Sequence, residues 1–208
     1  MTDLLFFLPR PQHPSFPKAG LHLRWRLGWI KGWAVRPLWM IRETIFGTKV
    51  RVGKRFSLQG TLKFDGPGLV TFGDDCIVAD RCTPFTHLGD SVISIGSRTF
   101  LNGTRFGCTR RIEVGEDCIL ADVRIFDTDY HSLSRKRNGA DSPAPLVAPV
   151  KIERNVWVAA GAAILKGVQI GEDTVIGFGS VVTKSIPAGK IAIGNPATVV
   201  SDIPETSK

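Results

Sequence analysis

From residue 150 to 184 the chain reads VKIERNVWVAAGAAILKGVQIGEDTVIGFGSVVTK, and Ile152, Val158, Ile164, Ile170, Ile176 and Val182 recur every six residues. Four positions after each of the first five stands Val156, Ala162, Val168, Thr174 or Ser180, all small or β-branched. The same grammar occurs earlier. Val52-Gly53 leads to Leu58 and Phe64, Phe72-Gly73 to Val78, Ile95-Gly96 to Leu101, and Val114-Gly115 to Leu120 and Phe126. A period of six fits neither an amphipathic helix at 3.6 nor a simple strand at 2. It fits a coil of three short flat faces, about six residues each, whose inward aliphatics stack on their equivalents about 18 residues later. β-Branched side chains fill such a narrow prism, and small residues and glycine admit its tight corners. The pattern predicts an all-β chain built as a parallel β-helix.

Two stretches fall outside the repeat. Residues 127–149 contain DTDYHSLSRKRNGADSPAPLVAP, polar, basic and proline-rich, which reads as an excursion loop leaving the coil. Residues 1–49 form a second unit. Their segment 21–47, LHLRWRLGWIKGWAVRPLWMIRETIFG, carries four of the five tryptophans and five Arg or Lys against one Glu. It predicts one or two short helices broken near Gly28, Gly32 and Pro37. Such a segment serves either as a cap over the end of the β-helix or as an interfacial segment, with Trp and Leu at the headgroups of an anionic membrane and Arg and Lys facing the lipid charge. The expected organisation is therefore 1–49 as a basic Trp-rich segment, 50–202 as the β-helix with its excursion, and 203–208 as a tail.

Composition sharpens this picture. With 208 residues there is room for one domain with a substantial core and an appendage. The net charge of +8 is uneven: residues 1–50 hold eight Lys or Arg against two acids, and the remaining 158 hold 19 against 17. Nucleic acid is not an expected partner, since no recognition motif accompanies the charge. Cys76, Cys82, Cys108 and Cys118 lack the C-x-x-C pairs of zinc or redox sites and read as reduced, buried thiols of a cytosolic protein. No run of about 18 apolar residues marks a membrane span. The start, MTDLLFFLPRP, lacks a basic leader and breaks at Pro9, unlike a cleaved signal peptide.

The segment from Asn155 to Val200, with NVWVAAGAAI, GVQIGEDTVIGFGSVVTKSIPAG and IGNPATVV, resembles the hexapeptide-repeat acyltransferases. It is similar to the group holding the maltose, galactoside and exopolysaccharide O-acetyltransferases, and the resemblance covers about three quarters of the chain. It implies a left-handed β-helix, a homotrimer and acetyl-CoA as co-substrate, and the count of possible ligands in the repeat predicts no metal. The reduced thiols point to a cytoplasmic protein, and the basic, Trp-rich N-terminus would draw it toward the inner face of the membrane.

The resemblance places the general base at His131, at the start of the excursion. An imidazole titrating near neutral pH suits removal of a proton from a sugar hydroxyl. Asp127 and Asp129 are both candidates to orient the ring. Asn102 matches an asparagine that lines the acceptor site, and Trp157, Ala160, Phe178, Thr183 and Lys184 match positions along the coenzyme A arm. Two departures stand out. Thr198 and Ser201 occupy places where the galactoside enzymes carry basic residues for the nucleotide phosphates, and Arg110 replaces an acidic sugar contact. The expected activity is acetyl transfer to a sugar hydroxyl, in surface polysaccharide or lipopolysaccharide synthesis. An antibiotic or amino-sugar acetyltransferase and a non-catalytic β-helix adaptor are the alternatives. A zinc site of the γ-class carbonic anhydrase kind is disfavoured, because only His87 and His131 lie within the repeat.

Overall fold

The computed structural model describes residues 20–47 and 49–204. The MTDLLFFLPRP start, His13 and residues 205–208 of the tail lie outside them. From Lys49 onward the chain winds into a left-handed parallel β-helix of about seven turns. Face one stacks Lys49–Val52, Leu69–Phe72, Val92–Ile95, Arg111–Val114, Val150–Ile152 and Gln169–Ile170. Face two stacks Ser57–Leu58, Ile77–Val78, Phe100–Asn102, Ile119–Ala121, Trp157–Val158, Val175–Ile176 and Lys190–Gly194, and ends on the antiparallel strand Ala197–Asp202. Face three stacks Thr83–Thr86, Arg105–Cys108, Arg124–Phe126, Ala163–Ile164 and Val181–Val182.

The hexad pattern is the core. Ile152, Val158, Ile164, Ile170, Ile176 and Val182 are all buried, as are their small companions Val156, Ala162, Val168, Thr174 and Ser180. Each buried aliphatic contributes roughly 1.5–3 kcal/mol relative to exposure. One expected inward position differs. Phe126 faces outward, and Ile125 takes the inward place, paired with Phe106 below and Ile164 above. Ile125 follows Leu120 by five positions instead of six, and Asp122 turns the corner with φ 44°, so the side-chain alternation shifts by one.

Cys76 and Cys118 occupy one stack with small residues of face two. Phe56, Cys76, Thr99, Cys118, Val156 and Thr174 precede the mutually registered strand residues of face two, and all are buried. Burial pushes the Cys76 thiol up to about 12 and the Cys118 thiol up to about 11, and it raises Cys82 and Cys108 further. These are packing groups, and all four are unpaired.

Two helices cover the N-terminal end: α1, Gly20–Ala34, and α2, Arg36–Phe46. The break falls at Val35, ahead of Pro37 in the first turn of α2, and not at Gly28 or Gly32. Those glycines serve close approach instead. A side-chain carbon at Gly28 would sit 2.5 Å from Ser57 Oγ, and one at Gly32 2.6 Å from the Phe56 carbonyl, so only glycine lets α1 lie on the first coil of face two. Trp25 is buried, and its carbonyl accepts from Ser57 Oγ at 2.9 Å. Trp39 meets the edges of Phe56 and Phe64 with centroids 6.2 and 5.9 Å away. The outer side of the pair leaves Leu27, Trp33, Leu38, Met40, Ile41 and Ile45 exposed. No helix among the described residues is long and apolar enough to cross a membrane.

Candidate active site

The chain leaves face three at Phe126 and rejoins face one at Val150, so the excursion springs from the edge between those faces. Its two limbs are pinned together at the root. Ala148 N–H donates to the Asp127 carbonyl at 2.9 Å, Asp129 N–H donates to the Leu146 carbonyl at 3.1 Å, and Thr128 bridges Val147.

Asp127 is fully buried, and its carboxylate accepts the main-chain N–H groups of Thr109 at 2.7 Å, Arg110 at 2.6 Å and Arg111 at 2.7 Å. A buried carboxylate with three main-chain donors anchors the turn of the preceding coil. Asp129 differs. Oδ1 accepts from Lys166 Nζ at 2.8 Å, while Oδ2 is buried and has no hydrogen-bond partner among the described residues. Lys166 sits on the same edge one coil later, a residue the sequence pattern gave no reason to single out.

Tyr130 then takes φ 58°, a left-handed turn between Asp129 and His131. That conformation costs a bulky residue energy and persists only where surroundings enforce it. Here Thr128 Oγ1 accepts from Tyr130 N–H at 3.1 Å, and His131 N–H donates to the Asp129 carbonyl at 2.6 Å. The His131 side chain is exposed. The Tyr130 ring lies across Gly107, where an added side-chain carbon would fall 1.5 Å from its hydroxyl. It meets the ring of Phe126 at 5.6 Å and that of His87 at 4.8 Å, and His87 meets Phe85 at 4.7 Å. Burial raises the Tyr130 hydroxyl above its usual range, with the Arg105 charge nearby opposing that shift. Tyr130 thus fills the gap between Phe85 and Phe126 in the outward column of face three, a role that alternation alone could not reveal.

The remaining expected residues form two groups. Thr183 and Lys184 lie on the His131 edge, Lys184 one coil beyond Lys166, and both are exposed. Asn102, Ala160 and Phe178 lie on the edge between faces two and three, with Gly179 N–H donating to the Ala160 carbonyl at 2.9 Å. Phe178 is 81% exposed. Trp157 points outward from face two, in register with Ile119 and Val175. Within one chain, then, the full width of face three separates Asn102 from His131.

A family profile described as bacterial transferase hexapeptide (six repeats) matches residues 149–184. The chain is 36% identical over 116 residues to a galactoside O-acetyltransferase of Lactococcus lactis, covering 54% of this chain and 51% of that protein. It therefore spans about half the length of the curated relatives it matches. Among solved structures, the polysialic acid O-acetyltransferase OatWY shares the fold at TM-score 0.61 and 23% identity, over 77% of each chain. The N-acyltransferase AntD of Bacillus cereus, in complex with dTDP and coenzyme A, does so at TM-score 0.60 and 18% identity, over 74% of this chain and 84% of that one.

Proposed function

We propose, from the premise that this chain belongs to the hexapeptide-repeat transferases, that it moves an acetyl group from acetyl-CoA to a sugar hydroxyl. The observation that carries this reading is His131 held at a pinned turn on a rigid edge, next to a carboxylate with an unused buried oxygen. The neutral imidazole takes the proton of the attacking hydroxyl as its oxygen bonds to the thioester carbonyl carbon. When the carbon–sulfur bond breaks, the imidazolium returns that proton to the coenzyme A thiolate. Asp129 supports the imidazolium. Asp127 is spent on three main-chain donors and is the weaker candidate for that role. The cysteines are poor nucleophiles because burial keeps them protonated.

The active unit in this reading is a homotrimer. The outward column Phe100, Ile119, Trp157, Val175 and Ile191 makes an apolar stripe along face two, suited to burial against another copy. Packing of that kind would bring Asn102 and Phe178 of one copy opposite His131 and Lys184 of the next, uniting the two groups of site residues. The exposed apolar side of α1 and α2, with Arg24 and Arg26 beside it, supports contact with an anionic membrane face and an acceptor built there, such as a surface polysaccharide or its lipid-linked precursor. The test is mass-spectrometric detection of acetylated product from acetyl-CoA across sugars, nucleotide sugars and oligosaccharides. A failure to bind acetyl-CoA in calorimetry, with the fold intact, would favour an adaptor role.

A further inference from the structure

Along face one and its corner with face two, most cations are paired: Arg51 with Glu43, Arg55 with Asp75, Arg98 with Glu116 and Asp117, Arg111 with Glu113, Lys151 with Glu153, and Arg154 with Glu172. Face three differs. Its strands put Thr83, Arg105 and Arg124 in one outward column, where Arg124 meets Asp122 at 3.9 Å, and the bridge between Leu62 and Cys82 continues that column to Lys63. Lys63 and Arg105 are exposed and make no ion pair among the described residues. They flank a groove of about 240 Å³ that also takes in Asp65, Thr83, Pro84 and Phe85. One carboxylate lines the groove against two cations, and Gly66 N–H already donates to Asp65 Oδ1 at 2.8 Å. The neighbouring outward column holds Phe85 and Tyr130, which leads to His131.

Unneutralised cations beside aromatic faces, in a body with 19 cations against 17 acids, are a local arrangement and not a general surface excess. Guanidinium and ammonium groups recognise carboxylates and phosphates, and exposed aromatic rings pack against the apolar face of a sugar ring. We propose that this groove takes an acidic acceptor. Arg105 and Lys63 hold a carboxylate or phosphate borne by the sugar, while Phe85 and Tyr130 pack against the ring and present its hydroxyl toward His131. The inference rests on the acetyltransferase reading and narrows its substrate class.

Matched acceptor pairs test it: a uronic acid oligosaccharide against its carboxyl-reduced counterpart, and a sugar phosphate against its dephosphorylated form. The acidic member of at least one pair should show an acceptor KM about tenfold lower, a difference of about 1.4 kcal/mol. The pair that responds identifies the anion. Arg105→Gln and Lys63→Gln should each raise that KM several-fold, leave the acetyl-CoA KM and the neutral acceptor unchanged, and retain the wild-type melting temperature. Added salt should erode the preference. Equal KM values within both pairs, or an acid preference that survives both substitutions, would overturn the acidic-acceptor assignment while leaving the transferase reading intact. Absence of acetylation on every member would remove the transferase reading and this inference with it.

Discussion

The ammonium of Lys166 lies 2.8 Å from one carboxylate oxygen of Asp129, while the second, buried oxygen of that carboxylate has no hydrogen-bond partner among the described residues. The arrangement fixes the carboxylate and keeps one acceptor in reserve two residues from His131. Asp129→Asn should lower kcat about 10- to 100-fold, part of the factor that general-base catalysis supplies, with acceptor KM near wild type. If Asp129 supports the protonated ring, as proposed, the pH profile of kcat should change as well. An unchanged profile with unchanged kcat would make Asp129 a structural residue.

Asp127 should behave in the opposite manner. Its carboxylate serves the N–H groups of Thr109, Arg110 and Arg111. Asp127→Ala leaves those donors unmatched and should cost about 3 kcal/mol or more, seen as a lowered melting temperature. A melting temperature equal to wild type would contradict the anchoring role.

Those two aspartates mark how far the sequence could be read. The period of six identified the inward residues of the last coils one by one, because a prism with identical faces repeats its demands on every strand. It failed at Phe126, where a coil one residue short reverses the alternation. Asp127 and Asp129 are both candidates beside His131, because position in the sequence says nothing about which main-chain groups need a partner. Lys166 and Tyr130 carried no signal at all. The first depends on one coil stacking over another, and the second on a left-handed turn that places a ring over Gly107. In the helical region Trp25 and Trp39 turn inward while Trp33 stays exposed, a division that composition alone could not assign.

Gly107 is the complementary probe of that turn. Gly107→Ala places a carbon 1.5 Å from the Tyr130 hydroxyl and 2.7 Å from the Phe126 ring, so Tyr130 must move. Overpacking of this kind costs about 1–3 kcal/mol, and the shift at the root of the excursion should lower kcat/KM at least about tenfold. Steady-state kinetics alongside thermal unfolding measures both, and full activity would show that Tyr130 does not position His131.

The thiols set an alkaline limit on stability. Burial raises Cys118 to about 11 and Cys76 to about 12, whereas an unfolded thiol ionises near pH 8.5. Between those values the unfolded state has released protons that the folded state retains. The folded state is therefore favoured below about pH 8.5 and loses stability progressively from there up to the folded values, by as much as about 1.4 kcal/mol per thiol per pH unit. Denaturant unfolding from pH 8 to 10 should show the midpoint falling. A variant with Cys76→Ser and Cys118→Ser should fall less steeply, and an equal slope would reject the assignment.

The most direct test of the account is the rate of thiol release from acetyl-CoA, with an accepted sugar present, for wild type and for His131→Ala at equal folded concentration. A general base at this position predicts a rate lower by about 10²- to 10⁴-fold, with acetyl-CoA binding retained. A variant that turns over at the wild-type rate would contradict the mechanism.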